Sequence, residues 1–130
     1  MIWSCKGATG TVTLTATLSI KTTAAVTVTL GSSGGTAGTD YVNFSTITVS
    51  AGSTTGTTTF DPTDDSVYED DEAITITIDG VAGGSATESG NQSVIITISE
   101  NESAPTVTLT SSASSVYDNG SDLTLTATAS

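Results

Sequence analysis

The sequence predicts an all-β protein, an antiparallel immunoglobulin-like β-sandwich of roughly seven strands. Nearly every apolar run alternates with Thr or Ser at a period of two, which is the pattern of strands with one buried and one wetted face. The runs are joined by segments rich in Gly, Ser and Asn, and no stretch shows a helical period. Because a parallel sheet would need crossover helices, these features favour a sandwich.

Six runs show the alternation, and we expect each of them to form a strand: residues 11–19, 25–30, 45–50, 55–60, 73–79 and 93–99. In the first run, Val12, Leu14 and Ala16 fall on one side and the intervening Thr residues on the other. Aromatic residues make up only 5% of the chain, so the core is expected to consist mainly of Val, Ile and Leu. Thr on the outer faces raises strand propensity and keeps those faces soluble.

Length and charge limit the possible functions. A chain of 130 residues is enough for one domain with a real core. There are 2 basic residues against 14 acidic ones, no His, and a net charge of -12. This charge argues against nucleic acid or an anionic membrane as a partner and makes a cation the natural counterpart. No apolar run approaches transmembrane length, so we expect no direct membrane insertion.

The chain offers no recognisable catalytic apparatus. A nucleophilic triad would need a His, and Cys5 has no general base to activate it. Carboxylate pairs can hydrolyse glycosides, but the acids here are crowded into loops without an aromatic platform for a sugar. We therefore expect no enzymatic activity. The single Cys5 also cannot form an internal disulfide, which leaves the redox compartment open.

Two stretches of the chain resemble each other. TGTVTLTATLS near the start matches GSDLTLTATAS at the end, aligning Leu14 with Leu125 at an offset of about 111 residues. This period suggests a tandem array, with residues 8–104 as one module, SENESAP as the junction and residues 105–130 as the opening strands of the next repeat. The alternative is chance similarity between Thr-rich strands.

The repeat has a consequence for the first module. If each module begins with a strand like PTVTLTSS, the first has lost its own and carries MIWSCKG instead. That N-terminal segment is too short and too weakly apolar to be a signal peptide, so any export signal is expected outside this sequence. Because an open sheet edge invites strand addition, we expect residues 105–117 to fill it. They would do so within the chain, as in a circular permutation, or between two chains, as a swapped dimer.

The segment DPTDDSVYEDDE, residues 61–72, holds half of the acidic residues and no basic one. Like charges this close repel by about 1 kcal/mol per pair even in water, so the segment must be fully solvated or bind a cation. Clusters that offer only oxygen suit a hard cation, above all Ca²⁺. The absence of His removes common zinc ligands, and the spacing is not that of an EF-hand.

Three stretches resemble the Calx-beta domain family, calcium-binding β-sandwich modules of sodium/calcium exchangers and of large bacterial surface proteins. They are GTAGTDYVNFS, DDSVYEDDEAITITI and VIITISENES, in the family's order. The middle stretch is the most specific, since the family has two acids, a short apolar gap, an acid, and then Asp-Glu leading into a strand. The resemblance covers roughly residues 8–104 and implies calcium where these loops meet at one end of the sandwich.

Carried across position by position, the resemblance implies a set of oxygen ligands. The implied side-chain ligands are Asp40, Asp64, Asp65, Glu69 and Glu72, and the implied backbone ligand is the carbonyl of Val67. The other acids of the cluster have weaker claims. Asp70 and Asp71 are expected to face solvent, and Asp61 is expected to cap the turn at Pro62.

Two departures from the family pattern leave the number of ions open. Glu100 and Glu102, also implied as ligands, stand where the family usually has consecutive aspartates. The family also supplies an acid just before its second strand, where this chain has Gly7. In the partial second copy that position is Asp118. If residues 105–117 fill the missing edge, Asp118 would arrive at the vacant ligand position.

From these residues and this resemblance we expect a calcium-binding structural module of a longer, repetitive extracellular or cell-surface protein, adhesin-like and bacterial. Calcium would stiffen an array by tying loops together at the module junctions, so the expected partners are calcium ions and neighbouring repeats. Two alternatives stay open. One is a regulatory calcium sensor attached to a transporter or enzyme, which a micromolar affinity would favour. The other is a metal-free module that binds carbohydrate or protein through its loops.

Overall fold

The computed structural model describes residues 2–4, 10–120 and 122–130, with side chains from residue 10 onward. These residues form nine strands and no helix: β1 (Ile2–Ser4), β2 (Val12–Thr17), β3 (Val26–Ser33), β4 (Thr46–Val49), β5 (Thr55–Phe60), β6 (Glu72–Ala82), β7 (Ser93–Ile98), β8 (Val107–Ser111) and β9 (Leu125–Ala129). The predicted all-β fold class is confirmed. Among the described residues there is accordingly no helix that is long and apolar enough to cross a membrane.

The six predicted strands are all present as β2 to β7, and two of them are longer than predicted. β3 continues through Gly31 to Ser33, and β6 continues through Gly80 to Ala82. The reason is that these two strands pair with each other across both extensions, with a register shift between Thr29 and Leu30. A bulge of this kind lets glycine-containing segments stay in the ladder.

Two sheets make up the sandwich. The larger has the order β1-β7-β6-β3-β4, and the smaller pairs β2 with β5. All of these pairs are antiparallel except β1 with β7, where Ile2 to Ser4 run parallel to Ile95 to Thr97. The N-terminal segment therefore contributes a short edge strand to the larger sheet. Cys5 and Gly7 lie outside the described residues.

The core lies between the two sheets and follows the predicted alternation. Its buried members are Leu14, Val26, Val28, Tyr41, Ile47, Val49, Phe60, Ile74, Ile76, Ile96 and Ile98. Each fully buried Val, Ile or Phe contributes about 1.5–3 kcal/mol relative to an exposed one. The few aromatics are concentrated rather than dispersed: the rings of Tyr41, Phe44 and Phe60 lie 5.0 to 5.8 Å apart, centroid to centroid.

β8 and β9 form a separate antiparallel hairpin, with Val107 opposite Ala129 and Ser111 opposite Leu125. Every residue of both strands is exposed. β8 therefore does not fill an edge of the sandwich within its own chain in this structure. The predicted division of the chain into residues 8–104 and 105–130 stays a prediction.

Candidate functional site

The acidic residues predicted as ligands, apart from Asp118, lie in three segments at one end of the sandwich. One is the loop between β3 and β4, the second joins β5 to β6, and the third follows β7. The register of the larger sheet brings the last two together, because Glu72 at the start of β6 pairs with Ile98 at the end of β7. Acids just before β6 thus face acids just after β7.

The loop after β3 is fixed by a buried tyrosine. Tyr41 is 2% exposed, packs against Phe60 and shares a hydrogen bond of 3.0 Å with the Ser32 hydroxyl. The loop is also tied to the segment after β5, because the Thr63 N–H donates to the carbonyl of Asp40 at 2.9 Å. Asp40 is consequently held beside the start of the acidic segment.

Asp40 and Glu72 converge on Gly35. A methyl group built on Gly35 would lie 3.3 Å from Glu72 Oε2 and 3.4 Å from Asp40 Oδ2. Gly35 has a positive φ of 60°, so any other residue here would be strained as well as crowded. The carboxylate of Asp40 also accepts the backbone N–H of Thr36. The structure thus brings together two predicted ligands that are distant in sequence.

The middle of the acidic segment is organised by its own carboxylates. Asp65 Oδ1 accepts the N–H of Val67 at 2.7 Å, which closes a local turn. Asp64 Oδ1 accepts the side-chain amide of Asn101 at 3.2 Å. Asp65 therefore shapes the loop, and Asp64 joins it to the segment after β7. The Val67 side chain is 60% exposed, as expected for a residue predicted to act through its backbone.

Glu100 is the main connection between the two segments. Its carboxylate accepts the backbone N–H of Glu69, and its other oxygen accepts the N–H groups of Asn101 and Glu102 at 2.6 and 2.7 Å. In the opposite direction, the N–H of Glu100 donates to Asp71 Oδ1 at 2.7 Å. These bonds hold the backbone of one segment against that of the other.

Glu100 and Glu102 have opposite shifts in pKa. The hydrogen bonds from the backbone and side chain of Glu102 lower the pKa of Glu100 to about 2. The same side-chain bond, partial burial, and the charges of Glu100 and Asp64 raise the pKa of Glu102. Glu102 is therefore the acid of the pair that is more easily protonated. Crowded acids behave in this way when no cation neutralises them.

Among the described residues, Glu102 has the one buried side-chain oxygen that lacks a hydrogen-bond partner. This oxygen is Oε2. A buried carboxylate oxygen without a partner is costly, and a bound cation is the simplest group that would satisfy it.

Within residues 2–4, 10–120 and 122–130, no three acidic side chains lie close enough to form a ready-made metal cage. The donor set nevertheless fits Ca²⁺ in chemistry, because it consists of carboxylates on adjoining loops together with backbone carbonyls. Several of these carboxylates accept backbone N–H groups in the present arrangement. Binding an ion would require some of them to turn toward it.

Two contacts at the acidic end were not predicted from the sequence. Asp71 is exposed, as expected, and it also accepts a hydrogen bond from the backbone N–H of Glu100, because the pairing of Glu72 with Ile98 places Asp71 beside that segment. Asn101 was not predicted to take part, yet its amide reaches Asp64. No spacing signal marks either contact, since both depend on the register between β6 and β7.

Asp118 is the predicted ligand that the structure leaves apart from the others. It lies exposed in the turn between β8 and β9. Its predicted route to the site required β8 to complete the sandwich, and here β8 pairs with β9.

Solved structures similar to the chain include two structures of CBD12 domains. The calcium binding domain CBD12 of CALX1.1 aligns with a TM-score of 0.61, and CBD12 from CALX1.2 with 0.60. Both are 18% identical to this chain, and each alignment covers 75% of it. The chain spans 41% of the length of those structures. At this identity the likeness shows the fold alone.

No curated protein matches the chain. A family model described as the LapA domain matches residues 4–92. The predicted Calx-beta resemblance is thus confirmed at the level of the fold, whereas the family model that matches is a different one. Because that match covers more than half of the sequence, the chain belongs to the LapA domain family.

Proposed function

We propose that this chain is a calcium-binding structural module of an adhesin-like cell-surface protein. Calcium would bind where the loop after β3, the segment before β6 and the segment after β7 meet. The ligands would come from Asp40, Asp64, Asp65, Glu69, Glu72, Glu100, Glu102 and the carbonyl of Val67. Asp118 would join them only where a further strand brings it near.

The buried, unpartnered Oε2 of Glu102 carries this proposal. The side-chain hydrogen bond of Glu102 with Glu100, its burial, and the charges of Glu100 and Asp64 raise the pKa of Glu102. A carboxylate oxygen without a partner, close to two further negative charges, favours the binding of a cation. A divalent cation would supply the missing partner and neutralise the repulsion.

The comparisons with known proteins support both calcium binding and a location at the cell surface. The solved domains with this fold include one described as a calcium binding domain, which supports the cation. LapA is a family of cell-surface adhesin domains, which supports a surface location. Stiffening follows from the connections of the site: an ion held by the segment before β6 and the segment after β7 would immobilise the stretch of chain that leads to β8.

Thermal unfolding in calcium and in chelator tests the proposal. At free calcium one hundred times the dissociation constant, binding adds about 2.7 kcal/mol to the free energy of unfolding. For a domain of this size, that corresponds to a rise in Tm on the order of 10 °C. Extracellular modules often bind calcium with dissociation constants of about 10⁻⁴ to 10⁻³ M, so the titration must extend well into the millimolar range.

A variant that removes the charge of two predicted ligands, Asp65→Asn with Glu69→Gln, should abolish the rise in Tm. Its control carries Asp79→Asn and Glu88→Gln, which remove the same charge from residues whose side-chain hydrogen bonds are local, with Thr77 and Gln92. The control should keep the full rise. An unchanged Tm for the wild-type chain, or equal rises in both variants, would rule out binding at this site.

A further inference from the structure

β2 has an open edge. It pairs with β5 on one side and with no other strand among the residues described. The N–H of Leu18 donates to the carbonyl of Thr54 at 2.7 Å, which extends that ladder by one pair. In an antiparallel ladder, the backbone groups of successive residues point alternately to the two sides. The groups that β2 presents on its open side therefore belong to Thr13, Thr15 and Thr17.

The hairpin of β8 and β9 indicates that β8 can pair with the open edge of β2. The N–H of Ser112 donates to Thr124, and that of Ser130 to Thr106, each at 3.0 Å. By the same alternation, the residues of β9 that bond to β8 are Thr126 and Thr128. The sequence match between β2 and β9 aligns these two with Thr15 and Thr17. β9 thus binds β8 through the edge that corresponds to the open one on β2.

The side chains of β2 also suit a pairing with β8. In the hairpin, Val107 lies opposite Ala129 and Leu109 opposite Ala127. The matching positions on β2 are Leu18 and Ala16, which are partly buried and pack against the core. Val107 and Leu109 are 73% and 71% exposed in the hairpin. On β2 in the same register, both would extend the apolar side of the smaller sheet over the core.

We propose that β8 of one copy of this chain leaves β9 and adds to the open edge of β2 in a second copy. Thr110 would lie opposite Thr15, and Thr108 opposite Thr17. The ladder bonds lost to β9 are regained on β2, and apolar surface is buried in addition. The exchange is favoured because an isolated two-stranded hairpin is at best marginally stable in water.

The partner must be a second copy because β8 cannot reach β2 of its own chain in this register. Val107 would lie at the Leu18 end of β2, from which the chain leads into the start of β3. β3 begins opposite Ala82, whereas β7 ends opposite Glu72, at the other end of β6. The eleven residues of β6 span about 33 Å. The nine steps from Ile98 to Val107 reach about 30–32 Å when fully extended, and the chain would also have to cross the roughly 10 Å between the two sheets.

Disulfide trapping between two variants tests both the partner and the register. One chain carries Ala16→Cys and the other, isotopically labelled, carries Leu109→Cys, both with Cys5→Ser. These positions would be a non-hydrogen-bonded pair with Cα atoms about 4.5 Å apart, within disulfide range. Mass spectrometry after mild oxidation in chelator should show the mixed dimer in large excess over either homodimer. Mixed and like dimers in statistical proportion would overturn the proposal.

A second variant tests whether β8 must leave β9. Leu109→Cys with Ala127→Cys in one chain, again with Cys5→Ser, would lock the hairpin when oxidised. Light scattering over a concentration series should show association of the wild-type chain, none for the oxidised variant, and recovery after reduction. Association of the locked chain at the wild-type level, or a wild-type chain that stays monomeric, would contradict the exchange. Because the measurements are made in chelator, their outcome does not depend on the calcium proposal.

Discussion

Single residues decide the chemistry of the acidic end, and Glu102 is the clearest case. Its pKa is raised by the hydrogen bond with Glu100, by burial and by the charges of Glu100 and Asp64, and its Oε2 is buried without a hydrogen-bond partner. In the calcium-free chain, ionised Glu102 therefore destabilises the fold. Because the pKa is higher in the folded state than in the unfolded one, this penalty is absent at low pH and develops as the pH rises through the two pKa values.

Glu102→Gln should therefore raise the Tm of the calcium-free chain at pH 7, because it keeps the shape of the side chain and removes its charge. Near pH 4 the wild-type residue is protonated, so the two proteins should unfold at nearly the same temperature. The same variant should show a smaller rise in Tm with calcium, since it loses a ligand oxygen with full charge. Thermal unfolding at both pH values, in chelator, checks the first two expectations. A variant less stable than wild type at pH 7 would contradict this role for Glu102.

The gathering of acidic residues at one end of the sandwich could be predicted from the sequence, whereas their contacts could not. Spacing and resemblance pointed to Asp40, Asp64 and Glu100, and the structure places all three where the loops adjoin. The hydrogen bond from the Glu100 N–H to the Asp71 carboxylate could not be anticipated, because it depends on which residue of β7 lies opposite Glu72. A shift of one residue in that register would exchange the bonded and solvent-facing acids.

At the scale of the elements, the packing of β5 against β4 depends on a glycine. A methyl group on Gly56 would lie 2.3 Å from the carbonyl oxygen of Thr48, which is backbone and cannot turn away. The absence of a side chain at this position thus allows β5 to lie close to β4.

Gly56→Ala should destabilise the fold by about 1–3 kcal/mol, the usual cost of overpacking a tight contact. Gly80→Ala, in β6, is the matched control, because nothing lies within 4 Å of the added methyl group and the residue has no positive φ. The control should be neutral or slightly stabilising, since alanine has less backbone entropy to lose. Urea unfolding of both variants measures the difference. Equal stabilities would show that β5 can move away from β4 at little cost.

The positions of the strands could be predicted from alternation alone, and their partners could not. Alternation predicts the positions of β2 to β7 to within a few residues, because successive side chains of a strand point alternately to the core and to water. It misses the extensions of β3 and β6, where glycines stay in the ladder only because each strand supports the other. Nor does it reveal that Ile2 to Ser4 pair parallel to β7, since three residues carry no period.

At the scale of the whole molecule, charge and apolar surface are unevenly distributed. The acids gather at the end of the sandwich from which the chain continues toward β8, and the exposed apolar residues gather in the hairpin that follows. Calcium would bind at the acidic end of the sandwich, and strand exchange would bury the exposed apolar residues of the hairpin. Together they would make the orientation of successive modules depend on the cation and the contact between modules depend on backbone pairing.

The central claim is that calcium binds where the three loops meet, and a calcium titration followed by ¹H–¹⁵N NMR tests it most directly. We predict saturable shifts in the amides of residues 36–40, 64–72 and 99–102, with a common dissociation constant of about 10⁻⁴ to 10⁻³ M. A micromolar constant would instead favour a sensor over a structural module. Shifts that grow linearly without saturating, or that saturate only in other parts of the chain, would contradict the claim.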